Sequence, residues 1–238
     1  MKTIAVFSGG LDSTTMIYDL LSQGIDVEAV SFNYGQRHAK ELDAAKQIAY
    51  DLNIRHEVIN LVGYGELISE GISSLMNRDI AVPEGAYDNV NMRSTVVPNR
   101  NMSMLSMAAG VAVARKADSI ATAVHAGDHA IYPDCRPDFI RSLEQVLMMA
   151  NQGFIVPNFG ITVPYLYKTK TQIAKRAKEL NVPFDKTWSC YKGGMIHCGK
   201  CGTCVERLEA IHGADADDID KTLYEDNLYW KAVTNAVE

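Results

Sequence analysis

Short β-branched runs alternate along this chain with stretches whose apolar positions recur three and four residues apart, and that alternation predicts strands and helices in turn. Lys2 to Phe7 (KTIAVF) reads as a strand, and Ser13 to Gln23 as a helix through Met16, Ile17, Leu20 and Leu21, ended by Gly24. Val27 to Phe32 is a second strand, Lys40 to Leu52 a second helix through Leu42, Ala45, Ile48 and Ala49, and His56 to Leu61 a third strand. This β-α-β-α-β order predicts a doubly wound, Rossmann-like parallel sheet. Residues 62 to 78 read as a helical insertion and Asp79 to Pro98 as a long polar loop of the kind that covers a binding site. Asn101 to Lys116 is a helix, Ser119 to Val124 a strand, His125 to Arg136 a loop, and Pro137 to Asn151 a helix that starts on proline. Phe159 to Tyr167 is expected to be extended and Thr169 to Leu180 helical, stopped by Asn181 and Pro183. From Trp188 the alternation ends, which sets an expected division into residues 1–186 and a C-terminal segment, 187–238, whose aromatic tail is expected to form a docking helix.

Composition changes the picture in three ways. The length of 238 residues supports a sizeable apolar core. A net charge of −6 speaks against a nucleic-acid partner, because phosphate neutralisation needs a basic surface. No apolar window approaches the roughly 20 residues that span a bilayer, and Met1 leads straight into a strand, so a cytoplasmic protein without membrane contact is expected.

The candidate chemistry begins at FSGGLDSTT, Phe7 to Thr15. A strand that ends in Ser8-Gly9-Gly10 and turns into a helix aims several backbone N–H groups at one point, where the helix dipole also favours an anion. Ser8, Ser13, Thr14 and Thr15 add hydroxyl groups. Asp12 is repulsive beside a polyphosphate unless a cation lies between them, which assigns it to magnesium or to the water around it. The plainer reading is a tight strand-to-helix turn capped by Ser13. Neither the Walker loop nor the G-x-G-x-x-G pattern is present; SGGLDS instead resembles the pyrophosphate loop of the adenine nucleotide α-hydrolase-like superfamily, whose members cleave ATP between its α and β phosphates.

Cys190, Cys198, Cys201 and Cys204 follow the spacing C-x7-C-x2-C-x2-C, which four thiolates around one structural zinc ion would satisfy. An iron–sulfur run would add a fourth cysteine three residues on and then proline, and Val205 to Leu208 supplies neither. His197 is a weaker candidate ligand. Cys135 stands alone, either a nucleophile or an inert buried thiol.

Four further segments, SFNYGQRHAKEL (Ser31 to Leu42), VPNRNMSML (Val97 to Leu105), GDHAIYPDCRPDFI (Gly127 to Ile140) and TWSCYKGGMIHCGKCGTCVER (Thr187 to Arg207), resemble in that order the 7-cyano-7-deazaguanine synthase family. The resemblance runs from Lys2 to about Ile211. It implies an ATP-dependent ligase that turns 7-carboxy-7-deazaguanine and ammonia into the nitrile through an adenylated acid and an adenylated amide, with one zinc, ATP and magnesium, and a homodimer. Its implied nucleotide contacts are Phe7, Ser8, Gly9, Gly10, Leu11, Asp12, Ser13, Thr14, Thr15, Met16, Ile17 and Arg100, with Asp12, Ser8, Ser13 and Arg37 catalytic. Its implied substrate contacts are Gln36, Arg37, His38, Asn101, Tyr132, Asp134, Arg136 and Lys168. Arg37 can fork onto phosphate or carboxylate, or be a surface arginine; Asp134 can accept from a guanine-like face, or brace the turn at Pro133. Asp128 and His129 share that loop. Lys168 and Lys170 could meet ATP phosphates, or, as two lysines opening an amphipathic helix, form a solvated face; Lys168 is kept as the candidate. Leu11, often glutamine in this family, Asn33, often aspartate, and Gly202-Thr203, where Pro-Ser is common, depart from its pattern without removing a group the reaction needs.

Overall fold

Successive residues of the first strand leave in opposite directions and both are fully buried: Ile4 packs with one hydrophobic cluster and Ala5 with another. A strand covered on both faces belongs to the interior of a parallel sheet, and the computed structural model, which describes residues 1–71 and 73–234, has one of five strands. They are β1 (Lys2–Val6), β2 (Asp26–Asn33), β3 (His56–Asn60), β4 (Ser119–Ala121) and β5 (Gly160–Thr162), in the order β3-β2-β1-β4-β5. All four pairings are parallel, with Val6 beside Val30, Ile4 beside Ile120 and Ile120 beside Ile161.

One face carries α1 (Leu11–Ser22), α2 (Lys40–Asp51) and α6 (Lys170–Glu179), through Met16, Ile17, Ile48 and Ile173. The other carries α4 (Arg100–Ala114) and α5 (Pro137–Ala150), through Leu105, Ala108, Leu143 and Leu147. A third cluster joins Leu11, Ala174, Ala177 and Phe184 to Ala210 and Ile211 of α7 (Gly202–Gly213), so apolar packing runs across residue 186. Among the described residues no helix is long and apolar enough to cross a membrane.

Three expected elements differ. The helix over 62–78 is only α3 (Val62–Ser69); Gly71 follows it, and Ile72 lies outside the described residues. Gly65 within α3 serves close approach, since a Cβ there would lie 1.8 Å from the Tyr34 carbonyl oxygen. The extended run 159–167 is a strand only at β5, because Pro164 has no N–H to give a ladder and the chain turns, with Lys168 N–H donating to the Tyr165 carbonyl. The tail is mostly turns before the short helix α8 (Tyr229–Thr234). Asp220 and Asp226 accept N–H groups two and three residues ahead, local bonds that compete with a longer helix.

Candidate functional site

Strand order reverses between β1 and β4, and at that switch point the connections leave in opposite directions, opening a crevice beyond the carboxyl ends of the strands. It holds about 1150 Å³ including its mouth, and it is walled by the end of β1, the start of α1, residues 122–125 after β4, and side chains from α2, α4, α6 and α7.

The glycine turn forms the floor. Gly9 has φ +82°, and a Cβ on it would lie 2.3 Å from the Glu41 carbonyl oxygen, so the turn packs on the start of α2 only because no side chain is there. Ser8 Oγ lies 3.0 Å from Ser13 Oγ and accepts the Gly10 N–H at 3.2 Å. The residue before α1 makes no side-chain cap, so the first N–H groups of the helix are left for a ligand or water.

Beside the turn, Asp12 Oδ2 pairs with Lys170 Nζ, while Asp12 Oδ1 is buried without a partner. Lys170 Nζ also lies 3.5 Å from Glu206 Oε2. Burial opposes the charge of Asp12, but Lys170, His125 and Arg207 outweigh it and hold the carboxyl below its ordinary range. Burial likewise opposes the Lys170 ammonium, and Asp12 and Glu206 more than compensate. Burial raises Glu206. His125 Nδ1 lies 3.1 Å from the Gly127 N–H, and Nε2 is 3.8 Å from Glu206 Oε1 and 3.6 Å from Asp128 Oδ1. Tyr87 OH donates to the same Asp128 oxygen at 3.0 Å.

The α2 and α4 side of the crevice has different chemistry. Arg100 stands among Tyr34, Tyr132 and Tyr191, with its guanidinium 5.6 Å from the Tyr132 ring centre. His38 stacks on Tyr191 at 4.9 Å and its Nε2 lies 3.4 Å from Glu41 Oε1, which also accepts from Gln36 Nε2 at 3.0 Å. Burial, helped by Arg100, lowers His38 to about 3, so its ring is neutral. Burial raises Glu41 to about 7 against the pull of Gln36 and Arg100.

Of the residues expected from sequence, Phe7, Ser8, Gly10, Leu11, Asp12, Ser13, His38, Arg100, Asn101 and Tyr132 line this crevice. Thr14, Thr15, Met16 and Ile17 are buried inside α1, where Thr15 Oγ1 donates to the Leu11 carbonyl at 2.7 Å. Arg37 turns elsewhere, donating to the carbonyls of Asn77 and Ile80 at 2.9 and 3.1 Å. Gln36 stands behind Glu41; Asp134 accepts the Asn101 N–H at 2.9 Å, and Arg136 donates to the His129 carbonyl at 2.8 Å. Lys168 lies in a separate surface hollow with Asp19 and Tyr165, and Lys170 is the lysine beside Asp12. Cys135 also faces the crevice, yet it is 2% exposed, accepts from Asn101 Nδ2 at 3.1 Å, and burial pushes its thiol far up, which describes an inert sulfur. Sequence reasoning did not single out Glu41, Tyr34, Tyr87, Tyr191, Trp188, Ser189 or Glu206 as lining residues.

The four cysteines at 190, 198, 201 and 204 are buried, and their sulfur atoms all lie within 4.8 Å of one another. A tetrahedral zinc with Zn–S of about 2.3 Å places its sulfurs about 3.8 Å apart, so a small contraction fits the ion. Backbone N–H groups of Lys200 and Cys201 already point at Cys198 Sγ, at 3.4 and 3.3 Å. Gly199 has φ +74°, and a Cβ there would overlap the Asp226 carbonyl oxygen at 1.6 Å. His197 is occupied otherwise, with Nε2 accepting the Ser189 N–H at 3.1 Å.

Fold and site together define a parallel, doubly wound α/β protein with a crevice at the sheet's switch point and a clustered four-cysteine segment after the sheet. Residues 2–215 match the family described as Queuosine biosynthesis protein QueC, and the chain belongs to that family. It is 47% identical over 217 residues to the 7-cyano-7-deazaguanine synthase of Hahella chejuensis (strain KCTC 2396), covering 91% of each chain. It is also 47% identical over 232 residues to that of Rhizobium johnstonii (strain DSM 114642 / LMG 32736 / 3841), covering 98% of this chain and 95% of the other. Among solved structures, an NMN synthetase from Francisella tularensis superposes with a TM-score of 0.45 at 13% identity, covering 100% of this chain and 84% of that one.

Proposed function

We propose that this crevice makes 7-cyano-7-deazaguanine from 7-carboxy-7-deazaguanine, ammonia and two molecules of ATP, the activity named for its close relatives. A carboxylate oxygen attacks the α phosphorus and diphosphate leaves; ammonia then forms the C–N bond, losing one proton as AMP departs. The amide oxygen attacks a second ATP in the same way, and loss of AMP with both N–H protons leaves the nitrile. The chemistry needs the acid oxygen converted to a good leaving group, which AMP is and hydroxide is not.

The observation that carries this reading is the glycine turn with the Asp12–Lys170 pair at its side, set at the sheet's switch point. Free N–H groups of α1 and the Ser8 and Ser13 hydroxyls suit the phosphates that depart as diphosphate. Asp12, with one oxygen buried and unpartnered, suits magnesium, which when bound would offset phosphate charge. Lys170 is then left with Glu206 and is free to meet developing negative charge at the α phosphate. We assign the four cysteines to one structural zinc, which four thiolates would close off from reaction.

We take residues 1–186 as the nucleotide-binding part and 187–238 as the metal-binding part of a cytoplasmic homodimer. Val146, Met149 and Phe154, 50%, 76% and 79% exposed on and just after α5, support contact between copies. The net charge of −6 and the inert Cys135 favour small-molecule substrates over RNA thiolation.

The test incubates the purified protein with the acid, ATP, magnesium and ammonium and follows product mass. The nitrile is expected; amide alone would confine the activity to the first half, and neither product would overturn the reading. Asp12→Asn and Lys170→Gln, folded by circular dichroism, should each lose about 10²–10³ in kcat.

A further inference from the structure

The glycine turn and the Asp12–Lys170 pair hold phosphates, and other groups must read the deazapurine ring. We propose that Glu41 recognises the guanine-like edge of the acid, its carboxylate accepting hydrogen bonds from the ring N–H and the 2-amino group. The inference rests on that reading of the site.

A guanine-type edge presents two adjacent donors and then one acceptor, the carbonyl oxygen. The crevice wall under β2 presents the complement. Glu41 sits in the first turn of α2 and lines the cavity; its contacts from Gln36 and His38 both go to Oε1, and among the described residues neither uses Oε2. His38 is 3% exposed and also lines the cavity. Its Nε2 faces Glu41, which assigns the proton there and makes Nδ1 an acceptor, and Nδ1 is buried with no partner. A buried nitrogen without a partner is costly unless a ligand meets it. Arg100, which lines the same cavity as Glu41 and His38, supplies the donor for the carbonyl oxygen. Tyr191 and Trp188 line the same cavity and offer faces for a flat heterocycle.

Adenine fits this wall less well. Its edge alternates one donor with one acceptor, so a carboxylate would satisfy the amino group while opposing the lone pair of the ring nitrogen. Gln36, buried and bonded to the Phe32 carbonyl and the Tyr34 N–H, fixes the carboxyl from behind, which is a positioning role rather than a contact with substrate.

The experiment compares 7-carboxy-7-deazaguanine with its 2-desamino analogue on wild-type protein and on Glu41→Gln, measuring kcat and KM for acid and for ATP separately. Wild type should use the desamino acid with kcat/KM lower by about 10³-fold, since a site built for N–H groups is left with unpaired acceptors. Glu41→Gln should raise KM for the parent acid by about 10²-fold, keep KM for ATP within about twofold, and discriminate little between the two acids. Equal use of both acids by wild type would overturn the proposal, and so would a variant that raises KM for ATP alone, which would place adenine on this wall. If the variant fails to fold, the wild-type comparison decides. No product from the parent acid would remove the functional reading and this inference with it; equal product from both acids removes this inference alone.

Discussion

Glu41 shows what burial does to one side chain. In water a glutamate is ionised at neutral pH; here burial raises its carboxyl from 4.5 to about 7, with only Gln36 and Arg100 pulling back. In the ligand-free protein this has a definite sign. Below 4.5 both folded and unfolded forms hold the proton and there is no effect. Between 4.5 and about 7 the unfolded chain ionises while the folded one does not, so stability falls as pH rises through that window and then levels. The expected loss is on the order of 3 kcal/mol. Glu41→Gln cannot titrate, so urea unfolding at several pH values should show the variant gaining on wild type by that amount between pH 4.5 and 7.5. A constant difference across that range would show that the carboxyl is not desolvated.

Helix α6 links local capping to the site. Thr169 precedes it with a full capping box: its hydroxyl accepts the Gln172 N–H at 3.2 Å, and the Gln172 side chain accepts the Thr169 N–H at 3.0 Å. Lys170 is the first residue of the helix, so the cap that starts α6 also aims the ammonium at Asp12. Thr169→Ala should cost about 1 kcal/mol in thermal or urea unfolding, together with a fall in kcat larger than the change in KM for ATP, because Lys170 loses its fixed origin. Unchanged kcat in a destabilised variant would separate the cap from the lysine. The helix was legible from its apolar spacing and its Asn181-Pro183 stop. Which of two lysines faces inward was not, since that depends on where the helix begins relative to α1.

At the scale of the whole molecule, the cysteine segment is a wall of the crevice as well as a candidate metal site. Trp188, Ser189 and Tyr191 flank Cys190, Thr203 and Glu206 flank Cys204, and all five line the cavity. Arg207, fully buried, ties this wall to the rest: it donates to Thr187 Oγ1 at 2.7 Å, the Phe184 carbonyl at 2.8 Å and Tyr224 OH at 2.9 Å. Buried charge with this many partners is costly to loosen. Chelation should therefore release about one equivalent of zinc per chain, lower the unfolding temperature and change the Trp188 emission. Release without any change in stability would show that the thiols alone hold the wall.

By itself the sequence determined what is local or periodic: the alternating strands and helices, the glycine turn that opens α1, and a four-cysteine spacing within fifteen residues. These were readable because hydrophobic period, turn chemistry and ligand spacing act over short stretches of chain. Only the tertiary structure decided the partners. Lys170 meets Asp12 across 158 residues, Glu206 joins them from α7, Arg37 turns away to Asn77, and Glu41 and His38 become a paired wall under β2. Those outcomes depend on how helices lie on the sheet and which polar groups burial leaves without water. Neither is written in the spacing of residues along a single segment.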